Sequence, residues 1–451
     1  MGELADESLV IGDRDGVPSL LPIEECVRYY PPNLAPVADT ADIFRNIAGA
    51  QGGREYDLFV DVPFCKTICG FCPFNVYPYE RGLAREYLEA IAAEIGEIKR
   101  RHDFTGKTVR TVWVGGGTPA ILEESLLAEL LDLVADSFDL SGATELTVEI
   151  KPDMGNLTDA KIAMLKSRGV RRISMGVQST DQAQLRTLGR GHTGQEALDV
   201  ARFIKEAGFA LNIDMMYRLP GQSVSAMAKD IEAIAALRLD HVSWFPYVAH
   251  EGTSLASRIE RGRVQQQAGR EDYLTMFLML EKQMRELGFD QYTPYHFAGT
   301  DRCHYHMGRW QMPQRDTLGL GPGAFSFFNG WIYTNEHAPL RYAQAVHDGR
   351  PPVLMAKQLT PRELATRLAV LGVKFFRLEE DAFRRSTGES LTDYYAAELA
   401  LLERAGLVTV DGDVVCTKRG RAFNNDIATV LSTDTARRTK HPQGIELMRR
   451  G

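Results

Sequence analysis

Asp61–Tyr77 reads DVPFCKTICGFCPFNVY, and its three cysteines, Cys65, Cys69 and Cys72, stand in C-x3-C-x2-C spacing. Thiolates bind iron well, and several on one short loop can close around a single cluster. Three of them fill three corners of a 4Fe-4S cube and leave one iron open to a substrate or cofactor. The spacing departs from that of a C-x2-C zinc knuckle, and no second ligand pair follows nearby. The other cysteines, Cys26, Cys303 and Cys416, stand alone and read as small buried hydrophobes.

The rest of the composition bounds the answer. At 451 residues the chain exceeds what one core usually holds, so a large domain plus a smaller one is expected. A net charge of −8 and the lack of a long Lys/Arg block argue against nucleic acid or an anionic membrane as partner. No run reaches the length of a membrane span, and MGELADESLVIGDRDG lacks the apolar core of a signal peptide. Six cysteines in so long a chain do not make a disulfide scaffold, so a cytoplasmic location is expected.

Residues 1–55 read as an N-terminal extension, 56–355 as an α/β barrel with its own extension, 356–435 as a small C-terminal domain and 436–451 as a tail. Strands are expected at 57–62, 108–114, 145–150, 171–178, 210–217 and 241–247, with helical periodicity between them. Thr193 and Glu196 spell a capping box. Such alternation implies a parallel sheet with right-handed crossovers. Residues 316–328 read as a glycine-rich turn region, not a dinucleotide fingerprint. LTPRELATRLAVLGVKFF is helical after its cap, and LVTVDGDVVCT is a hairpin around Asp411-Gly412.

Pro-Phe-Cys and the triplet after a first strand resemble the signature of the radical S-adenosylmethionine (SAM) enzymes, in the branch of oxygen-independent coproporphyrinogen III oxidase. The resemblance implies a six-strand partial (β/α) barrel followed by a helical, winged-helix-like domain. It implies a 4Fe-4S cluster, whose open iron is chelated by SAM, and reductive cleavage of SAM to a 5′-deoxyadenosyl radical. Barrel chemistry sits at the carboxyl ends of strands, where the candidates fall in series. The resemblance places one SAM near Gly116, Glu149 and Phe71. It places a second near Gly117, Thr118, Gln178, Arg190 and Asp214, with Phe59, Val248 and Phe325 as further cofactor positions. Arg28-Tyr29-Tyr30-Pro31 echoes an arginine- and tyrosine-rich segment of the same family.

Two departures bear on the substrate. Phe74 stands where those oxidases carry a further cysteine, and Phe59 stands where they carry a tyrosine. Both substitutions predict a drier pocket near the cluster. Arg218, Tyr295, His296 and Trp310 are candidate substrate residues, with Cys303-His304-Tyr305-His306 beside them. From this the sequence predicts a two-SAM C-methyltransferase acting on an sp2 carbon of a small aromatic molecule in natural-product biosynthesis. A porphyrin- or haem-modifying enzyme and a haem chaperone are the alternatives. A flavodoxin- or ferredoxin-type electron donor is the expected protein partner.

Overall fold

The computed structural model describes residues 34–36, 54–102 and 104–432. Cys26, the Arg28–Pro31 segment and the tail at 436–451 lie outside the described residues.

Six parallel strands form the frame: β1 (Glu55–Val62), β2 (Thr108–Gly116), β3 (Glu145–Ile150), β4 (Arg172–Gln178), β5 (Ala210–Tyr217) and β6 (His241–Pro246). They lie side by side in sequence order, as right-handed strand–helix–strand crossovers require. Along every strand one residue in two is apolar and joins the core under the helices, for example Leu58, Val60, Val112, Val114, Val148, Ile173, Leu211, Ile213 and Val242. The residues between them occupy the opposite, concave face: Asp57, Phe59, Asp61, Thr111, Trp113, Glu149, Ser174, Asn212, Asp214 and His241. Period-2 alternation thus builds a wall that is apolar outside and polar inside. Helix Gly194–Glu206 begins with the Thr193–Glu196 capping box.

The sheet continues past both ends of the barrel. β7 (Asp316–Leu320) runs parallel to β1, followed by the antiparallel strands β8 (Phe325–Phe328), β9 (Trp331–Asn335) and β10 (Val353–Gln358). On the far edge, His296–Ala298 pairs with β6. The expected turn region at 316–328 is therefore two strands joined by a short turn. Gly319 is a strand residue, and a Cβ there would sit 2.7 Å from the Phe325 carbonyl oxygen, so this glycine marks close backbone approach. The true turn holds Gly321 and Gly323, both at positive φ.

That turn is tied to the barrel by a buried acid. Glu94, on helix Arg81–Arg101, accepts from the Gly321 amide at 2.9 Å, from Asn335 Nδ2 at 2.6 Å and from the Tyr342 hydroxyl at 2.6 Å. Asn75, just past the cysteine triplet, donates to the carbonyl of His337 at 2.7 Å. The cysteine loop and the sheet extension are thereby fastened to each other.

The C-terminal domain has its own core, including Ala369, Val370, Phe383, Leu402, Leu407, Val414 and Ile427. Its first helix, Pro361–Gly372, carries a Thr360–Glu363 capping box, and a three-stranded sheet includes the hairpin around Gly412. Domain and barrel meet where the Tyr295 hydroxyl donates to Asn425 Oδ1 at 2.8 Å.

Candidate active site

The cysteine loop is held by backbone bonds. The Gly70 amide donates to the Leu188 carbonyl at 2.9 Å, and the Leu255 amide donates to the Gly70 carbonyl at 2.8 Å. Lys151 Nζ caps the Thr67 carbonyl at 2.9 Å. Cys65 and Cys69 are buried and Cys72 is half-buried. The three thiols sense one another: burial first, then the charges of Cys69 and Cys65, push Cys72 up to about 11, against pulls from the Phe74 amide and Lys151. Arg190 Nη1 donates to Cys69 Sγ at 3.3 Å, and Cys65 Sγ lies 3.4 Å from Thr118 Oγ1. Among the described residues no three His, Cys, Asp or Glu side chains converge on a single ion. A cluster asks for something else, three thiolates set apart on one loop, each on its own iron, and this donor set fits it. When bound, the cluster supplies an electron and an open coordination site.

The glycine turn after β2 is built into the same loop. The Gly117 amide donates to the Val62 carbonyl at 2.9 Å and the Thr118 amide to the Phe64 carbonyl at 2.8 Å. Gly116 stands at φ +100°, where a side chain is strained. Behind the turn, Lys161 Nζ donates to the carbonyls of Ala120 and Leu122, each at 2.9 Å.

Acids line the cavity side. Glu149 takes Trp113 Nε1 at 2.6 Å and also the Gly116 amide. Burial, then the charge of Asp214, push its carboxyl up to about 7. Asp214 is bonded by Asn212 Nδ2 at 2.8 Å and Ser174 Oγ at 3.2 Å. Burial raises it, while those bonds and the Arg190 charge hold it down. Behind them, His241 bridges Asn212 at 2.6 Å and the Tyr292 hydroxyl at 2.7 Å.

Below this acidic layer lies an aromatic wall. Trp113 stacks on Tyr305 at 5.1 Å between ring centroids, and Tyr305 stacks on Phe59 at 6.4 Å. His306 lies 5.1 Å from Trp113, 4.5 Å from His296 and 5.5 Å from Trp310. Lys374, from the C-terminal domain, sits over the rings of Tyr295 and Trp310 at 5.6 and 5.9 Å. Much of the wall comes from helix His304–Trp310, for which the aromatic stretch had given no helical signal.

Gly116, Gly117, Thr118, Glu149, Arg190 and Asp214 therefore meet around the cysteine loop. Gln178 closes β4 at φ +75°, with its Nε2 beside Gly176. Phe71 packs against the cluster of Leu188, Met216, Leu219 and Tyr247. Val248 is half-buried just past β6. Phe325 packs on Leu34, Phe327, Ile332 and Met355 in the sheet extension.

Arg218 does not point to solvent: it is buried at φ +59°, with Nε donating to the Ala268 carbonyl at 2.8 Å. Two further arginines near the aromatic wall are engaged within the protein: Arg302 pairs with Asp290 at the surface, and Arg309 donates to the Tyr305 hydroxyl at 3.2 Å. Phe74 is 54% exposed. Two residues that sequence reasoning passed over, Asp61 and Trp113, stand at the centre. Their signal was the alternation itself, which puts both on the face of Glu149 and Asp214.

Comparison with known proteins agrees with this frame. The model of the radical SAM superfamily matches residues 59–234, and that of the HemN C-terminal domain matches residues 359–423. The heme chaperone HemW of Mycobacterium tuberculosis is 31% identical over 386 residues, covering 84% of this chain and 95% of its own. The chain belongs to the radical SAM family of heme chaperones and coproporphyrinogen III oxidases. The family's oxygen-independent coproporphyrinogen III oxidase from Escherichia coli is 27% identical over 402 residues, covering 84% of this chain and 86% of its own. The solved structure of E. coli HemN shares the fold, with a TM-score of 0.77 at 24% identity over 87% of this chain and 93% of its own. These relatives overturn the expected natural-product C-methyltransferase, since those named are chaperones of haem and an oxidase of coproporphyrinogen. The family uses a 4Fe-4S cluster and SAM, and the residues around Cys65 and Gly116 fit both. No helix among the described residues is long and apolar enough to cross a membrane.

Proposed function

We propose that this chain is a haem-handling radical SAM protein, a chaperone in its first role. Cys65, Cys69 and Cys72 hold the cluster, the Gly115–Gly117 turn receives SAM, and the aromatic wall receives the tetrapyrrole. The observation that carries this reading is His306. Its ring is stacked on His296 and Trp310 and tilted against Trp113, and its Nδ1 is enclosed with no hydrogen-bond partner among the described residues. Burial first, then the charges of Arg309 and Arg172, hold it down at about 3, so the imidazole is neutral at any physiological pH. A neutral imidazole is the form that ligates haem iron, and flat aromatic rings suit a flat macrocycle. The relatives named heme chaperones, matched over nearly their whole length, support the same cargo.

Decarboxylation of coproporphyrinogen is less well served. Its several carboxylates need several cations, and Arg218, Arg302 and Arg309 are each engaged within the protein. SAM-dependent modification of a tetrapyrrole is the second reading, favoured by the polar layer around Asp214. A second SAM against Gln178, Arg190 and Asp214, and a flavodoxin- or ferredoxin-type donor, belong to that reading.

Haem titrated into the anaerobically reconstituted protein tests this. One haem per chain is expected, with a Soret band that shifts and weakens in His306→Ala. No saturable haem binding would sink the reading. Carbon dioxide released from coproporphyrinogen III would instead make the protein an oxidase.

A further inference from the structure

Asp61 ends the inner face of β1, four residues before the first cluster cysteine. It is 7% exposed, and no hydrogen bond or ion pair reaches its carboxyl among the described residues; Oδ1 is fully enclosed. Other buried acids of the barrel are answered. Asp57 has Thr111 at 2.6 Å and Arg315 at 3.1 Å, Glu145 has Arg172 at 2.9 Å, and Glu149 has Trp113 at 2.6 Å. Buried polar groups are nearly always bonded, because leaving a carboxyl unpaired is costly. An exception on the concave face of the barrel, beside the Gly115–Gly117 turn, points to a missing partner.

The turn opposite is shaped around this carboxyl. A Cβ at Gly116 would lie 2.1 Å from Asp61 Oδ1, and one at Gly115 would lie 2.6 Å from Glu149 Oε1. Two carboxyl groups thus flank one dipeptide, and each needs its glycine. Charge points the same way: Glu149 acts on Asp61, Asp214 acts on Glu149, and among the described residues only Arg190 answers, at Asp214. Three carboxyls against one guanidinium suit a ligand that brings positive charge and hydrogen-bond donors.

We propose that Asp61 is a binding residue for SAM, its carboxylate taking hydrogen bonds from the cofactor's amino or ribose hydroxyl groups. This rests on the assignment of the Gly115–Gly117 turn to SAM. SAM, with its sulfonium, ammonium and two hydroxyls, matches what the acids lack.

A ligand-binding role predicts opposite movements of stability and affinity, which a structural role does not. In reconstituted protein without SAM, Asp61→Leu should raise Tm by several degrees, since it removes an unanswered buried carboxyl. The same variant should bind SAM roughly tenfold or more weakly in equilibrium dialysis. Asp61→Asn, which keeps an acceptor, should recover part of that affinity. Both variants should retain full iron. S-adenosylhomocysteine, which keeps the amino and ribose hydroxyl groups, should discriminate between wild type and Asp61→Leu about as strongly as SAM does, and equal binding of it to both overturns the proposed hydrogen bonds. Wild-type affinity for SAM in Asp61→Leu overturns the proposal and leaves the SAM site standing. Absence of SAM binding in the wild type removes both. A fall in Tm in both variants assigns Asp61 to the fold and also overturns the proposal.

Discussion

Trp113 joins the two layers of the site, with its indole N–H on Glu149 and its ring on Tyr305 and His306. Trp113→Phe keeps the stacking surface and removes the hydrogen bond. It should leave iron content unchanged and weaken SAM binding several-fold, about the worth of one bond to a charged group; unchanged SAM affinity would detach Trp113 from the SAM layer. Cysteine variants separate cluster from scaffold. Cys69→Ala should abolish reductive SAM cleavage and lower the anaerobic iron count, because it removes one corner of the cube. Cys303→Ala should do neither, since that thiol is enclosed against Glu145 at 3.5 Å, and burial holds it well above its usual range. Full cleavage by Cys69→Ala would sink the cluster assignment. At this scale the triplet was legible because its chemistry lies in its spacing. Phe74 and Arg218 were not, because residue type says nothing about which side of a loop a ring takes, or that a guanidinium will spend itself on the Ala268 carbonyl.

Helix Arg81–Arg101 shows what periodicity finds and what it misses. Its apolar stripe, with Tyr87, Leu88, Ile91, Ile95 and Ile98, is buried as the spacing predicts. Glu94 falls between those residues and reads as solvent-facing, yet it is buried, because Asn335, Tyr342 and the Gly321 amide come from far along the chain to meet it. Burial pushes it from 4.5 up to about 7. A raised carboxyl favours the protonated folded state. Its contribution is therefore fully present below about pH 4.5 and is lost as pH rises to about 7, a change on the order of 3 kcal/mol. Glu94→Gln removes that slope. Its Tm relative to wild type should climb between pH 5 and pH 7.5 and then level off, and a difference that stays flat across that range would show that Glu94 does not titrate there. The strands at 316–328 stayed hidden for a related reason. Glycine inside a strand looks like a turn until the neighbouring backbone that requires it is seen.

At the scale of the molecule, the barrel's aromatic wall is closed by the C-terminal domain. The Tyr295–Asn425 bond and Lys374 over two rings make that seam. Tyr295→Phe and Asn425→Ala, singly and together, should show a coupling of about 1 kcal/mol in denaturant unfolding; strict additivity would mean that the bond contributes nothing to docking. The six-strand order was legible because each parallel strand carries its own apolar signal and lies beside its sequence neighbour. The seam was not, because it depends on residues 130 apart in the chain meeting side by side. The two-faced wall has one more consequence, for how such a protein changes over generations. The aliphatic positions anchor the helices, while Phe59, Trp113, Thr147, Ser174, Met216 and Phe245 alternate with them on the inner face. Substitution at those six positions changes the inner face, in part through the bonds of Trp113 to Glu149 and Ser174 to Asp214, while the helix-facing scaffold stays put. A combinatorial library confined to them would vary the lining of the barrel while leaving the helix-facing core intact.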